Sequence, residues 1–167
     1  MDLAKRTGGA TKRFGELNDH RINLLVGGAG DFEDNYLGTA GFGLSWFFLD
    51  DLSIDIELMG IGVSQDGDDA AGFNPNLMFR WHFLPRQTWS LYADGGCGLV
   101  IATEEVPDGG SNFNFTPQIG FGATYEIGVN TRLMAGVRWY HISNARLSED
   151  NPGRDSLMVY AGVSFGF

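Results

Sequence analysis

Large apolar residues recur at every second position along most of the chain. In residues 112–127, Phe113, Phe115, Pro117, Ile119, Phe121, Ala123, Tyr125 and Ile127 share one parity, and Asn112, Asn114, Thr116, Gln118, Gly120, Gly122, Thr124 and Glu126 share the other. A period of two sends these sets to opposite faces of a β-strand. Residues 73–83 repeat the pattern, with Phe73, Leu77, Phe79, Trp81 and Phe83 against Asn74, Asn76, Arg80 and His82. Residues 156–167 set Leu157, Val159, Ala161, Val163, Phe165 and Phe167 against Tyr160, Gly162, Ser164 and Gly166. Five further strands are predicted, over 21–30, 38–49, 52–65, 89–104 and 131–143. The strand over 52–65 keeps phase from Leu52 to Leu58 and slips near Gly60, which predicts a bulge.

Two architectures accommodate such strands. A soluble sandwich turns its large apolar side chains into a core. A membrane barrel turns them out to lipid and fills its lumen with small and polar groups. The polar faces here are rich in glycine and carry Asp55, Glu57, Arg80, Asp94, Glu126, Arg132 and Arg138, opposite charges able to pair in a narrow lumen. Trp46, Trp81, Trp89, Trp139 and Tyr125 fall near strand ends on the apolar face, as in an aromatic girdle. The connections alternate in length. DD, PRQT and GVN are short, whereas GDFEDNY, QDGDDAAG, EEVPDGGS and NARLSEDNPGRD are longer and polar. Short periplasmic turns opposite longer external loops are the outer-membrane pattern. The predicted fold is all-β: an eight-stranded antiparallel up-and-down transmembrane β-barrel over residues 21–167, integral to the bacterial outer membrane, after a polar, partly disordered N-terminal extension over 1–20.

Composition adds exclusions. No run approaches 18 apolar residues, so no spanning helix is predicted. A formal net charge of −10 argues against nucleic-acid partners and leaves outer-membrane lipids as the expected surroundings. Cys97 is the single cysteine and reads as a small apolar strand residue. Residues 1–20 contain no apolar signal core, so an export signal is expected to have been removed. Phe167, closing a run of alternating apolar positions, resembles the C-terminal recognition signal of outer-membrane barrels.

Three residues break the lipid-facing pattern at one place. Along the seventh strand Leu133, Ala135, Val137 and Trp139 face lipid, and the next positions of that parity are His141 and Ser143. On the eighth strand the same face runs back from Leu157 to Asp155. Serine, histidine and a carboxylate are the set required for nucleophilic ester cleavage. The imidazole takes the hydroxyl proton, and the carboxylate fixes the imidazole tautomer. Polar residues are also ordinary at a membrane rim, and spacing alone leaves both readings open.

The stretch HISNARLSEDNPGRD, His141 to Asp155, resembles the signature of the lipid A 3-O-deacylase family, PagL. The family pattern is H-x-S-N-A, then an asparagine in a turn, then an acid. His141, Ser143, Asn144 and Ala145 match its first part, Asn151 its turn, and Asp155 its acid, commonly glutamate in the family. Glu149 is the alternative acid. The resemblance implies an eight-stranded barrel whose Ser-His-acid triad faces the outer leaflet. It implies hydrolysis of the ester at position 3 of lipid A in lipopolysaccharide, with Asn144 and Asn151 as oxyanion donors. This chemistry requires no metal, and no cofactor is expected. His20 and His82 show no ligand partners at metal spacing. Arg146 and Arg154, the cations of the last loop, are candidate contacts to lipid A phosphates, or partners of Glu149 and Asp150. Trp139 and Tyr140 flank the site, as girdle or lumen residues or as a wall for an acyl chain. The competing functions are a non-catalytic barrel serving adhesion or envelope integrity, and a phospholipase or general esterase with the same triad.

Overall fold

The computed structural model describes residues 13–31, 33–148 and 150–167. Eight strands follow in chain order: β1 His20–Gly30, β2 Tyr36–Leu49, β3 Leu52–Ser64, β4 Ala70–Pro85, β5 Trp89–Ala102, β6 Phe113–Gly128, β7 Thr131–Ile142 and β8 Arg154–Gly166. Each pairs antiparallel with its neighbours, and β1 pairs with β8, so the sheet closes into a barrel with no free edge. Closure satisfies every strand's backbone within the sheet, the condition for crossing a bilayer with strands.

The two faces differ as the alternation requires. Leu24, Val26, Phe42, Leu44, Ile56, Leu77, Phe79, Ile119, Phe121, Val137 and Val159 stand exposed on the outer wall. Trp46, Trp81, Trp89 and Tyr125 ring the end with the short turns, and Trp139 stands at the opposite end. Inside, Arg138 donates to Glu57 Oε2 at 2.9 Å and Asp94 Oδ2 at 2.8 Å, while Arg80 lies 2.9 Å from Asp55 Oδ2. Tyr160 donates to Asp94 Oδ2 at 3.0 Å and shares a 2.8 Å hydroxyl–hydroxyl bond with Tyr92. Lumen glycine is what admits these rings: a Cβ on Gly136 would lie 2.7 Å from the Tyr160 ring and hydroxyl.

The bulge expected at Gly60 is absent. β3 pairs without a register shift through Gly60 to Val63 on both sides, and the shifts fall instead beside the short turns, at Phe47/Leu49, Trp81/Leu84 and Glu126/Gly128. What changes near Gly60 is which face is apolar. Met59, Ile61 and Val63 point inward and are buried, while Gly60, Gly62 and Ser64 point out. The physical reason is a second core at the external end of the lumen. There Ile61 and Val63 pack with Leu37, Val100, Ile142, Met158 and Val106 of the β5–β6 loop.

Of the expected N-terminal extension, residues 1–12 lie outside the described residues. Residues 13–19 pack into the inner mouth of the barrel. Phe14 lies under the guanidinium of Arg132, 3.9 Å from its ring centroid, and near that of Arg21 at 5.0 Å. It also packs edge-on against Phe47 and His82. An aromatic ring between two cations is favourable enough to hold this residue at the inner mouth.

Candidate active site

The site forms where β7 and β8 meet at the external end. Their register sets Trp139 opposite Leu157 and His141 opposite Asp155. Directly opposed positions bring side chains of one face into contact. His141 Nδ1 and Asp155 Oδ1 are 2.8 Å apart. A carboxylate only accepts, so Nδ1 carries a proton, and the neutral imidazole in this tautomer has its lone pair on Nε2. The inward residues hold these strands still: Tyr140 and Ile142, flanking His141, are both 1% exposed, and Tyr140 donates to Asn74 Oδ1 at 3.1 Å.

Ser143 lies just beyond β7 and stays in register through a bridge to β6, its carbonyl accepting from Phe115 N at 2.8 Å and its N–H donating to Phe115 O at 3.1 Å. Ser143 shares the outward parity of His141. Positions two apart on a strand are separated by about 6.6 Å. No hydrogen bond joins the serine hydroxyl to the imidazole among the described residues, and catalytic contacts commonly tighten only when substrate binds. Gly153 passes close on the other side, where a Cβ would lie 3.0 Å from His141 Cε1.

The loop between the strands is built on Asn144. Its N–H donates to Asn151 Oδ1 at 2.9 Å, its Nδ2 to the Asp150 carbonyl at 2.7 Å and to Ser148, and its Oδ1 accepts from Arg146 N at 2.9 Å. These bonds turn the chain through Ala145 and Arg146, both at positive φ. Asn144 is thus fully committed to the loop, and the side chain expected as an oxyanion donor is buried at 1% exposure. Asn151 spends only its carbonyl oxygen there, and its Nδ2 has no partner among the described residues.

The two arginines part company. Arg146 is exposed on the loop, with no ion pair among the described residues. Arg154 precedes Asp155 by one residue, so strand alternation turns it inward, away from lipid. There it bonds Gln65 Oε1 at 3.0 Å and Asn35 Oδ1 at 3.3 Å and lies 3.5 Å from Asp31 Oδ2. This removes Arg154 from the candidate phosphate contacts and makes it a staple from β8 to the β1–β2 and β3–β4 loops. Glu149, the alternative acid, lies outside the described residues.

Two contacts at the site were not foreseen from sequence. Trp139 donates from Nε1 to Asp155 Oδ1 at 2.9 Å, and its ring stacks on His141 with centroids 5.5 Å apart at 22°. Its signal was the W-x-H-x-S parity, read as a girdle position or an acyl-chain wall and not as a partner of Asp155. Phe115 stands opposite Ser143 on the lipid side, edge to face with Phe113. Extending the β6–β7 pairing outward from its short turn would have found it.

Comparison with known proteins agrees with this architecture. The profile of the family described as lipid A 3-O-deacylase (PagL) matches residues 32–164. The lipid A deacylase PagL of Bordetella bronchiseptica is 29% identical over 159 residues, 91% of this chain and 80% of that protein. The crystal structure of the outer membrane enzyme PagL superposes with a TM-score of 0.67 at 20% identity, covering 85% of this chain and 97% of that one. The N-terminal β-barrel domain of Pseudomonas aeruginosa OprF gives the same TM-score at 18% identity, covering 90% and 98%. The last two likenesses report the fold. The family match spans most of the chain, including the whole β7–β8 hairpin motif, and the chain belongs to the lipid A 3-O-deacylase (PagL) family of outer-membrane ester hydrolases.

Proposed function

We propose that this protein removes the 3-O-linked acyl chain from lipid A of lipopolysaccharide, with Ser143 as nucleophile, His141 as general base and Asp155 as the residue that orients the imidazole. The observation that carries the reading is the 2.8 Å His141–Asp155 pair on the lipid-facing wall at the external rim, with Ser143 at the next position of the same face. Lipopolysaccharide occupies the outer leaflet, so an ester of lipid A meets this face without leaving the bilayer.

In the reaction, His141 Nε2 takes the hydroxyl proton and Ser143 Oγ adds to the ester carbonyl. The oxyanion that forms requires a donor. Asn151 Nδ2 has no partner among the described residues and lies in the adjoining loop, and one such donor is worth about 2.7–4 kcal/mol in a comparable hydrolase. As the bond from the acyl carbon to the sugar oxygen breaks and the acyl–serine forms, the imidazolium, stabilised by Asp155, gives its proton to the departing sugar oxygen. Water activated by His141 then releases the fatty acid. Phe113 and Phe115 give the acyl chain an apolar wall beside Ser143. Arg146 is the cation placed to meet a lipid A phosphate.

Ser143→Ala tests the assignment. The variant is expected to fold, seen as an unchanged heat-modifiable band on electrophoresis, and to release no 3-linked fatty acid from lipopolysaccharide. Wild-type release from the folded variant would remove Ser143 as nucleophile and favour a barrel that uses another residue.

A further inference from the structure

The geometry points to Trp139 as a positioning residue of the site, its indole holding the Asp155 carboxylate and the His141 ring in one arrangement. The inference rests on the triad reading above. One oxygen, Asp155 Oδ1, accepts both from His141 Nδ1 at 2.8 Å and from Trp139 Nε1 at 2.9 Å. The indole plane also stacks on the imidazole, 22° from parallel. Trp139 therefore touches both partners of the pair that must stay aligned.

The carboxylate needs such a contact. The Asp155 side chain is 65% exposed at the rim, and among the described residues its only hydrogen bonds are those to His141 and Trp139. Aspartate is also a methylene shorter than the glutamate common in the family, so it has less reach to recover a lost alignment. An indole N–H donates and never accepts, so it cannot compete with His141 for a proton. Trp139 is itself fixed by the strand, between the buried Arg138 and Tyr140 and opposite Ile119 on β6 and Leu157 on β8. A tryptophan acting only as a membrane anchor has no need of either contact.

Trp139→Phe keeps an aromatic face over His141 and deletes the N–H. The expected result is kcat about tenfold lower with KM within about twofold, the size of one hydrogen bond to a charged group. In an Asp155→Asn background the same substitution is expected to change kcat by less than about twofold, because the carboxylate to be positioned is gone. The folded band on electrophoresis qualifies each variant. If Trp139→Phe does not fold, Trp139→Tyr, a larger amphipathic ring, goes through the same cycle. Wild-type kcat in the Trp139 variant, or an equal loss in both backgrounds, overturns the positioning role and leaves a girdle residue. Wild-type activity in Asp155→Asn alone overturns the triad reading instead.

Discussion

Asn144 holds the geometry of the β7–β8 loop, its side chain bonded within that loop. Its bonds to Asn151, Asp150, Ser148 and Arg146 fix a turn that contains two left-handed residues, and Ser143 sits directly before it. A displacement of about 1 Å at a reacting group costs roughly 10²-fold in rate. Asn144→Ala is accordingly expected to lower kcat by about 10²-fold while the denaturation midpoint of the barrel stays at the wild-type value, because the loop lies outside the sheet. A lowered midpoint with kcat intact would place Asn144 in the fold instead. At this scale, parity made His141, Ser143 and Asp155 legible, since the same face of a strand is a matter of counting. Arg154 was misread by charge. Its neighbour Asp155 faces lipid, and that alone turns Arg154 toward Asp31. Trp139 was legible as an outward aromatic, but the acceptor of its N–H lies on the next strand and is set by register.

The strands that present the site are anchored from inside. Arg138, one position before Trp139 on β7, pairs with Glu57 of β3 and Asp94 of β5 across the lumen. A buried pair contributes little net stability over an apolar replacement, but breaking one from a single side leaves charge uncompensated, at about 3–5 kcal/mol. Arg138→Ala leaves Arg80 alone to serve Asp55, Glu57 and Asp94, and the unfolding free energy in detergent or vesicles is expected to fall by about that amount. A change below about 1 kcal/mol would mean that water reaches these carboxylates. The pairing of opposite charges inside the barrel follows from their common parity in the sequence. The apolar outer lumen did not, because Ile61 and Val63 can be recognised as inward only after Val106 of a distant loop is seen among them. Read along one strand, that switch of the apolar face is indistinguishable from a bulge.

At the scale of the molecule, closure of eight strands explains why so short a chain offers a fixed site to lipid. The lumen is occupied from the Phe14 contacts at the inner mouth, through the Arg80–Arg138 cluster, to the apolar plug at the outer mouth. The proposed chemistry accordingly belongs to the outer wall. The strand count, order and orientation were legible because lipid enforces a two-residue period and the loops alternate in length. The packing of residues 13–19 into the inner mouth was not, since a polar segment with one phenylalanine carries no periodic signal. The central claim is that the wall facing lipid hydrolyses one ester of lipid A. Mass spectrometry of lipid A and phospholipids from mixed vesicles incubated with the protein tests it most directly. The expected result is a lipid A species lighter by one 3-linked acyl chain, with phospholipids unchanged. An unaltered lipid A spectrum, or cleavage of phospholipids alone, would contradict the account.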